Sequence, residues 1–406
     1  MSLNNTPNAE RVHIGIFGKR NAGKSSLINA ITGQNLAIVS EVAGTTTDPV
    51  SKAMEILPLG PVVIIDTAGL DDIGNLGNMR VQKSLQVLNK TDIAIIVVDM
   101  SVGITQIEVE LINRIKCKNI PYIIVFNKAD IVNQGIECNY GRSICVSAKD
   151  GTNINNLKDM IATLVPQGEK VPIVSDIISQ NDVVVLVIPI DNSAPKGRII
   201  LPQQQVLREV LDCNAMAIST QVTTLKQTLD LLNVKPKIVI TDSQAFKEVA
   251  QIVPDDVTLT SFSILFARHK GELAPLLDGA DGMDNLQHGD RVLISEGCTH
   301  HRQCNDIGSV KIPNILRKYT GKELQFEYTS GTEFPVDLSP YKLIVHCGGC
   351  MLNQREMKFR IACATEQQIP IVNYGMLIAK ATGILDRSLS CFNYYKNSQS
   401  KPANDE

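Results

Sequence analysis

Short runs of β-branched and aliphatic residues recur along the chain, with helically spaced apolar residues between them. In the first part, residues 11–17, 62–66, 93–99 and 122–127 are apolar runs of the kind that form parallel strands buried on both faces. Residues 24–32, 79–89, 107–116 and 154–164 repeat their apolar positions at helical intervals. This alternation predicts a doubly wound α/β sheet. Residues 168–172, Gly-Glu-Lys-Val-Pro, read as a linker, after which the pattern restarts. Strands are expected at 183–190, 215–220 and 237–241, with helices at 203–211, 222–232 and 243–252. A third stretch has strands at 291–295, 341–345 and 369–373 and helices at 353–365 and 376–382.

The pattern therefore divides the 406 residues into three consecutive α/β domains, 1–168, 169–264 and 265–406, a number consistent with the chain length. A composition of 44% apolar and 20% charged residues is that of a folded protein. The net charge of −3 and 4% aromatic content give no footprint for nucleic acid or an anionic membrane. The run at 183–190 is far short of the ~20 residues a membrane span needs. The amino terminus lacks a signal-peptide layout, so a cytoplasmic location is expected, with no membrane and no nucleic acid as partner. Ten cysteines are many for a reducing compartment, and clustered Cys and His there suggest metal before disulfide.

Five segments carry nucleotide chemistry. Gly18-Lys19-Arg20-Asn21-Ala22-Gly23-Lys24-Ser25 fits G-x-x-x-x-G-K-S between a strand and a helix. Gly18, Ala22, Gly23 and neighbouring backbone N–H groups, through Ser26 at the helix start, would cradle phosphate oxygens. Lys24 would reach the β- and γ-phosphates, and the Ser25 hydroxyl would bind Mg²⁺. Asp66-Thr67-Ala68-Gly69 supplies a carboxylate for Mg²⁺ and the Gly69 N–H for the γ-phosphate. Asn127-Lys128-Ala129-Asp130 offers a carboxylate that accepts guanine N1–H and the exocyclic amine, a donor pair that adenine lacks. Ser147-Ala148-Lys149 would present the Ala148 N–H to guanine O6. In Gly44-Thr45-Thr46-Thr47-Asp48, Thr46 is the expected further Mg²⁺ ligand.

These segments resemble the translation-factor-type GTPases over residues 11–165, in the branch containing tRNA-modifying and ribosome-assembly GTPases. The resemblance implies a K⁺ site at Asn21. Residue 70 is Leu, where Ras-like proteins carry a water-orienting Gln, so slow, K⁺-stimulated hydrolysis is expected, with Lys24, Asn21, Thr46 and Gly69 as its catalytic groups. Residues 70–80 hold two glycines, two Asp and two Asn and are expected to be mobile and nucleotide-sensitive.

A second constellation lies in the last domain: Cys298-Thr299-His300 and His346-Cys347-Gly348-Gly349-Cys350. Both groups fall at carboxyl ends of expected strands, where parallel sheets place ligand sites. Residue chemistry leaves three readings open: tetrahedral Zn²⁺, a [4Fe–4S] cluster with one accessible iron, and unligated cysteines. His300 and His346 are possible ligands, Asp306 and Asp337 possible caps for a fourth iron, and Cys304 an alternative thiol. Cys117, Cys138, Cys145, Cys213 and Cys363 read as core residues.

Together, the GTPase motifs followed by Cys-x-His and His-Cys-Gly-Gly-Cys-Met-Leu-Asn resemble the [FeFe]-hydrogenase maturation GTPases across essentially the whole chain. That resemblance implies a homodimer paired through 169–264 and a [4Fe–4S] cluster on Cys298, Cys347 and Cys350. It also implies a scaffold that receives the di-iron subcluster from two radical-SAM maturases and delivers it to apo-[FeFe]-hydrogenase. An RNA- or ribosome-assembly GTPase with a structural zinc module is the alternative.

Overall fold

Strands β1 (Val12–Gly18), β2 (Val50–Ile56), β3 (Gly60–Asp66), β4 (Ile93–Asp99), β5 (Tyr122–Asn127) and β6 (Ser143–Cys145) form one sheet, in the order β2-β3-β1-β4-β5-β6. Only β2 runs antiparallel to its neighbour. Helices α1 (Lys24–Thr32), α2 (Asn75–Val87), α3 (Gln106–Cys117) and α4 (Ile154–Ala162) complete this first unit. In β4, Ile95 and Val97 pack into one core with Leu27 and Ile31 of α1 and Leu157 of α4. Ile96 and Val98 point the other way, to Leu111 and Ile115 of α3. The continuous apolar run therefore serves two faces at once, as period-two side-chain alternation requires. The expected doubly wound sheet is present, and β1 lies between β3 and β4, so the loops after all three open on the same edge.

The structure is a computed structural model that describes residues 6–33, 49–72, 75–131, 141–165, 171–190, 199–297, 306–331 and 333–392. It divides into two compact units, Met1–Gly168 and Glu169–Glu406. The second unit carries two parallel four-stranded sheets. Strands β7 (Val183–Val187), β8 (Met216–Thr220), β9 (Ile238–Thr241) and β10 (Thr258–Ser261) run in the order β10-β9-β7-β8. Strands β11 (Arg291–Glu296), β12 (Gln325–Ser330), β13 (Leu343–His346) and β14 (Ile371–Asn373) run in the order β12-β11-β13-β14. Around them lie α5 (Leu201–Asp212), α6 (Leu225–Leu231), α7 (Phe246–Ile252), α8 (Phe262–Lys270), α9 (Leu273–Asp281), α10 (Ile312–Thr320), α11 (Gln354–Glu366), α12 (Tyr374–Ala381) and α13 (Leu385–Leu389).

One apolar core runs from Val184 and Leu186 of the first small sheet, through Leu265 and Phe266 of α8, to Ile344 and Val345 of the second. The expected division after residue 264 thus falls inside α8, a helix whose buried side chains belong to this shared core. Helix α9 approaches β14 closely: a Cβ on Gly279 would lie 1.8 Å from the Ile371 carbonyl oxygen, so only glycine fits. The strand expected at 183–190 stops at Val187; Ile188 still donates to the Thr220 carbonyl, and Pro189 after it has no N–H to give a ladder. The helix expected from Met79 begins at Asn75, so part of the segment 70–80 is ordered helix, while residues 73 and 74 lie outside the described residues.

Candidate functional site

In the first unit, the loop between β1 and α1 is shaped by residues in the left-handed region: Asn21 at φ +59° and Gly23 at φ +89°. Asn tolerates this conformation better than most residues, and a Cβ at Gly23 would lie 2.2 Å from the Asn127 amide nitrogen. Lys24, 9% exposed, folds under the loop and donates to the carbonyls of Gly18 (3.0 Å) and Lys19 (2.8 Å). Burial pushes its pKa down, against the attraction of Asp66, Asp71 and Asp72. Ser25 Oγ donates to Asp66 Oδ2 at 3.2 Å, so two hard oxygen donors lie side by side as a Mg²⁺ shell requires. Burial pushes the Asp66 pKa up, opposed by Lys24, Ser25 and the Thr67 N–H. Half-buried Ser26 is the next residue of α1. Thr46 lies outside the described residues.

The guanine-directed residues are tied to the phosphate loop. Asn127 Nδ2 donates to the Ala22 carbonyl (3.1 Å) and more weakly to that of Gly23 (3.5 Å), and its Oδ1 accepts the Ala148 N–H (3.1 Å). Ser147 Oγ donates to Asp130 Oδ1 at 2.9 Å, and Lys149 Nζ lies 3.9 Å from Oδ2, so the carboxylate is aimed by two neighbours. Lys128, at φ +70°, pairs with Asp99 at 2.5 Å. Gly69 crosses the phosphate loop so closely that a Cβ would meet the Arg20 nitrogen at 2.9 Å. That same Arg20 N–H donates to Asp71 Oδ1 (2.6 Å), a link that motif spacing does not reveal.

In the second unit, β11 and β13 are adjacent, and the chain leaves both at one edge. Cys347 Sγ accepts from the Gly297 N–H (3.0 Å) and the Gly349 N–H (3.4 Å). Gly349 sits at φ +61°, where a Cβ would meet Met357 Sδ at 2.7 Å. Cys350 is partly buried, and its pKa is raised by burial and by Cys347, with Lys270 opposing. Asn353 caps α11 immediately after this loop, its Oδ1 accepting the Glu356 N–H at 3.0 Å. Cys298, His300 and Cys304 lie outside the described residues, and among the described residues no group of three His, Cys, Asp or Glu is gathered for a metal ion.

His346 departs from the ligand role considered for it. It is fully buried, with Nδ1 2.7 Å from the Cys347 carbonyl and Nε2 3.1 Å from Arg360 Nη1. Arginine can only donate, so Nε2 accepts and Nδ1 carries the proton; neither nitrogen keeps a lone pair for a metal. Arg360, itself fully buried, also donates to Ser295 Oγ (3.1 Å), the Gly331 carbonyl (2.6 Å) and Glu356 (2.8 Å). Its one sequence signal was the i,i+4 pairing with Glu356 on the expected helix. Asp306 caps the turn after it through the Gly308 and Ser309 N–H groups, and Asp337 is exposed with Oδ1 accepting the Ser339 N–H. Cys117 is exposed rather than a core residue, Cys145, Cys213 and Cys363 are partly buried, and Cys138 lies outside the described residues.

Family comparison resolves the identity of the second unit. Residues 173–271 match the hydrogen maturase F dimerization domain, and residues 274–391 the hydrogen maturase F tetramerization domain. The chain belongs to the hydrogen maturase F family. Residues 13–128 match a model described as 50S ribosome-binding GTPase, so the first unit of this family member is a GTPase domain, fit for GTP and Mg²⁺. The tetramerization domain covers the stretch that sequence patterning connects only with a cluster.

Among curated relatives, tRNA modification GTPase MnmE of Desulforamulus reducens is 35% identical over 162 residues, 38% of this chain and 34% of that protein. GTPase Der of Kosmotoga olearia is 31% identical over 170 residues, 37% of this chain and 38% of that protein. The chain thus spans about a third of the length of the curated relatives it matches. Among solved structures, Era in complex with MgGDPNP and part of 16S ribosomal RNA is 22% identical, covering 52% of this chain and 91% of that one, with a TM-score of 0.36. Among the described residues, no helix is long and apolar enough to cross a membrane.

Proposed function

We propose that this family member is a GTP-switched iron–sulfur scaffold and carrier. In this reading it assembles the di-iron subcluster of [FeFe]-hydrogenase and delivers it to the apo-enzyme in the cytoplasm. It works as a homodimer or higher oligomer, exchanging cargo with two radical-SAM maturases. The observation that carries the reading is the loop after β13, where Cys347 Sγ accepts two backbone N–H groups and Cys350 follows three residues on. Backbone N–H donors directed at sulfur suit a thiolate bound to iron, so the donor set fits an iron–sulfur group. Cys298, Cys347 and Cys350 would hold a [4Fe–4S] cluster, which when bound supplies one iron corner open to cargo. Family membership gives the zinc-module alternative no support.

In the first unit, Gly18 to Ser26 would receive the triphosphate. Lys24 turns from the Gly18 and Lys19 carbonyls toward the β- and γ-phosphates, and Ser25 and Asp66, with Thr46, hold Mg²⁺. Asp130 and Ala148 select guanine, and Lys128 and Lys149 flank the base. Leu70, 9% exposed, has no group to orient water, so hydrolysis is slow. K⁺ at Asn21 would offset charge developing between the β- and γ-phosphates; equal rates in K⁺ and Na⁺ would remove this role. Asp71 occupies the Arg20 N–H, so an incoming triphosphate repels that carboxylate and shifts the segment after Gly69. That displacement is the switch by which nucleotide state reaches partners.

Anaerobic reconstitution with iron and sulfide tests the reading. Broad brown absorbance and a reduced-state EPR signal are expected. Alanine at Cys298, Cys347 or Cys350 should abolish both while GTP hydrolysis stays within about twofold, because the thiols and the nucleotide motifs lie in different units. A single tightly bound zinc and no cluster would sink the scaffold assignment.

A further inference from the structure

Lys270, the last residue of α8, is 2% exposed. An ammonium so buried is costly unless each of its N–H groups finds an acceptor. Here the acceptors are the carbonyl oxygens of Gly349 (3.2 Å), Cys350 (3.1 Å) and Leu352 (3.0 Å). All lie in the loop that follows β13. An apolar side chain would have filled the same volume beside Phe266 without this cost.

The helix end that carries Lys270 is itself fixed. Arg268 grips Asp176 through two contacts of 2.7 Å and donates to the carbonyls of Pro172 and Ile173. His269 Nδ1 meets the Val171 carbonyl at 2.5 Å, and the His269 carbonyl accepts from Gln354 of α11.

Peptide geometry turns this clasp into a statement about sulfur. In a trans peptide the C=O and N–H point in opposite directions. Holding the Gly349 and Cys350 carbonyls on the lysine side turns the Cys350 and Met351 N–H groups the other way, and both lie against the Cys350 thiol. The Gly349 N–H, in the peptide just before those that Lys270 holds, is directed at Cys347 Sγ. We propose that Lys270 is a positioning residue whose ammonium fixes the peptide planes of the 349–352 loop, so that the Cys350 and Met351 N–H groups face the Cys350 sulfur. For what those sulfurs hold, the inference rests on the iron–sulfur reading above; for how the loop is held, it does not.

Hydrogen exchange on the iron-free full chain separates the two. With Lys270→Met, amides of residues 347–353 should exchange at least about tenfold faster, with the first unit unchanged. Lys270→Arg keeps the charge, but its planar fork cannot meet the same set of carbonyls, so it should fall between wild type and the Met variant. If the Met variant does not fold, the Arg variant decides, by faster exchange confined to this loop. Exchange within twofold of wild type in every variant that folds overturns the proposal. After reconstitution, the Met variant should bind cluster with a more negative midpoint potential than wild type, since N–H donors and positive charge near sulfur both favour the reduced state; an unchanged potential would count equally against Lys270. A wild type that takes up no cluster would end the iron–sulfur reading, while the exchange result would still decide the role of Lys270.

Discussion

Asp99 shows how single side chains divide between sequence and structure. Burial opposes its charge, but hydrogen bonds from Lys128 and Ser101 outweigh that effect and hold the carboxyl below its ordinary range. A carboxyl lowered by folding contributes stability above its unfolded pKa and loses it as pH falls through the folded one. Stability from this pair should therefore fade below about pH 4. Asp99→Asn is expected to cost about 0.5–1 kcal/mol at pH 7, as for other partly exposed pairs, and nothing near pH 2. Urea unfolding at the two pH values checks this, and an equal deficit at both would refute the linkage. Lys128 was legible from its motif because consecutive residues at a strand end keep their neighbours. Its partner Asp99, 29 residues away and on an adjacent strand, was not. Lys270 was illegible for the same reason, and so was Arg360 apart from its pairing with Glu356: their other acceptors come from segments far off in sequence.

At the scale of elements, the apolar runs of β4, β5 and β7 were readable because strands buried on both faces carry no polar positions before their last residue. Two edge strands escaped. β2 (Val-Ser-Lys-Ala-Met-Glu-Ile) and β12 (Gln-Phe-Glu-Tyr-Thr-Ser) mix exposed polar residues with apolar ones, and their pairing is set by a neighbour rather than by their own pattern. The phosphate loop is an element whose composition was legible and whose coupling was not. Asn127 joins it to the guanine-directed loop through the Ala22 and Gly23 carbonyls and the Ala148 N–H. A methyl group at Gly23 would occupy the place of the Asn127 amide, besides straining a left-handed residue. Gly23→Ala should therefore lower GTP affinity by about 10- to 100-fold through loss of this bridge. Iron uptake should be unchanged. Calorimetric titration with GTP measures the first, and iron content after reconstitution the second; an affinity near wild type would mean that the bridge is dispensable.

For the whole molecule, the division into Met1–Gly168 and Glu169–Glu406 has a thermodynamic consequence. The first unit is built on cores of its own around one sheet, and the second on one core that serves both of its sheets. Two units built in this way should melt as two cooperative transitions rather than one. A ligand stabilises the unit that binds it by an amount set by its concentration relative to Kd. At 100 times Kd, GTP with Mg²⁺ should add about 2.7 kcal/mol to the first unit. For a unit of this size, that moves its midpoint up by roughly 5–10 °C. The other transition should stay where it is, and it alone should respond to iron–sulfur loading. Differential scanning calorimetry of the full chain, with and without a non-hydrolysable GTP analogue, reads both midpoints in one scan. If the two shift together, the units share a single cooperative equilibrium, and nucleotide state would act on the cysteine loop directly rather than through the contacts each unit makes with partners.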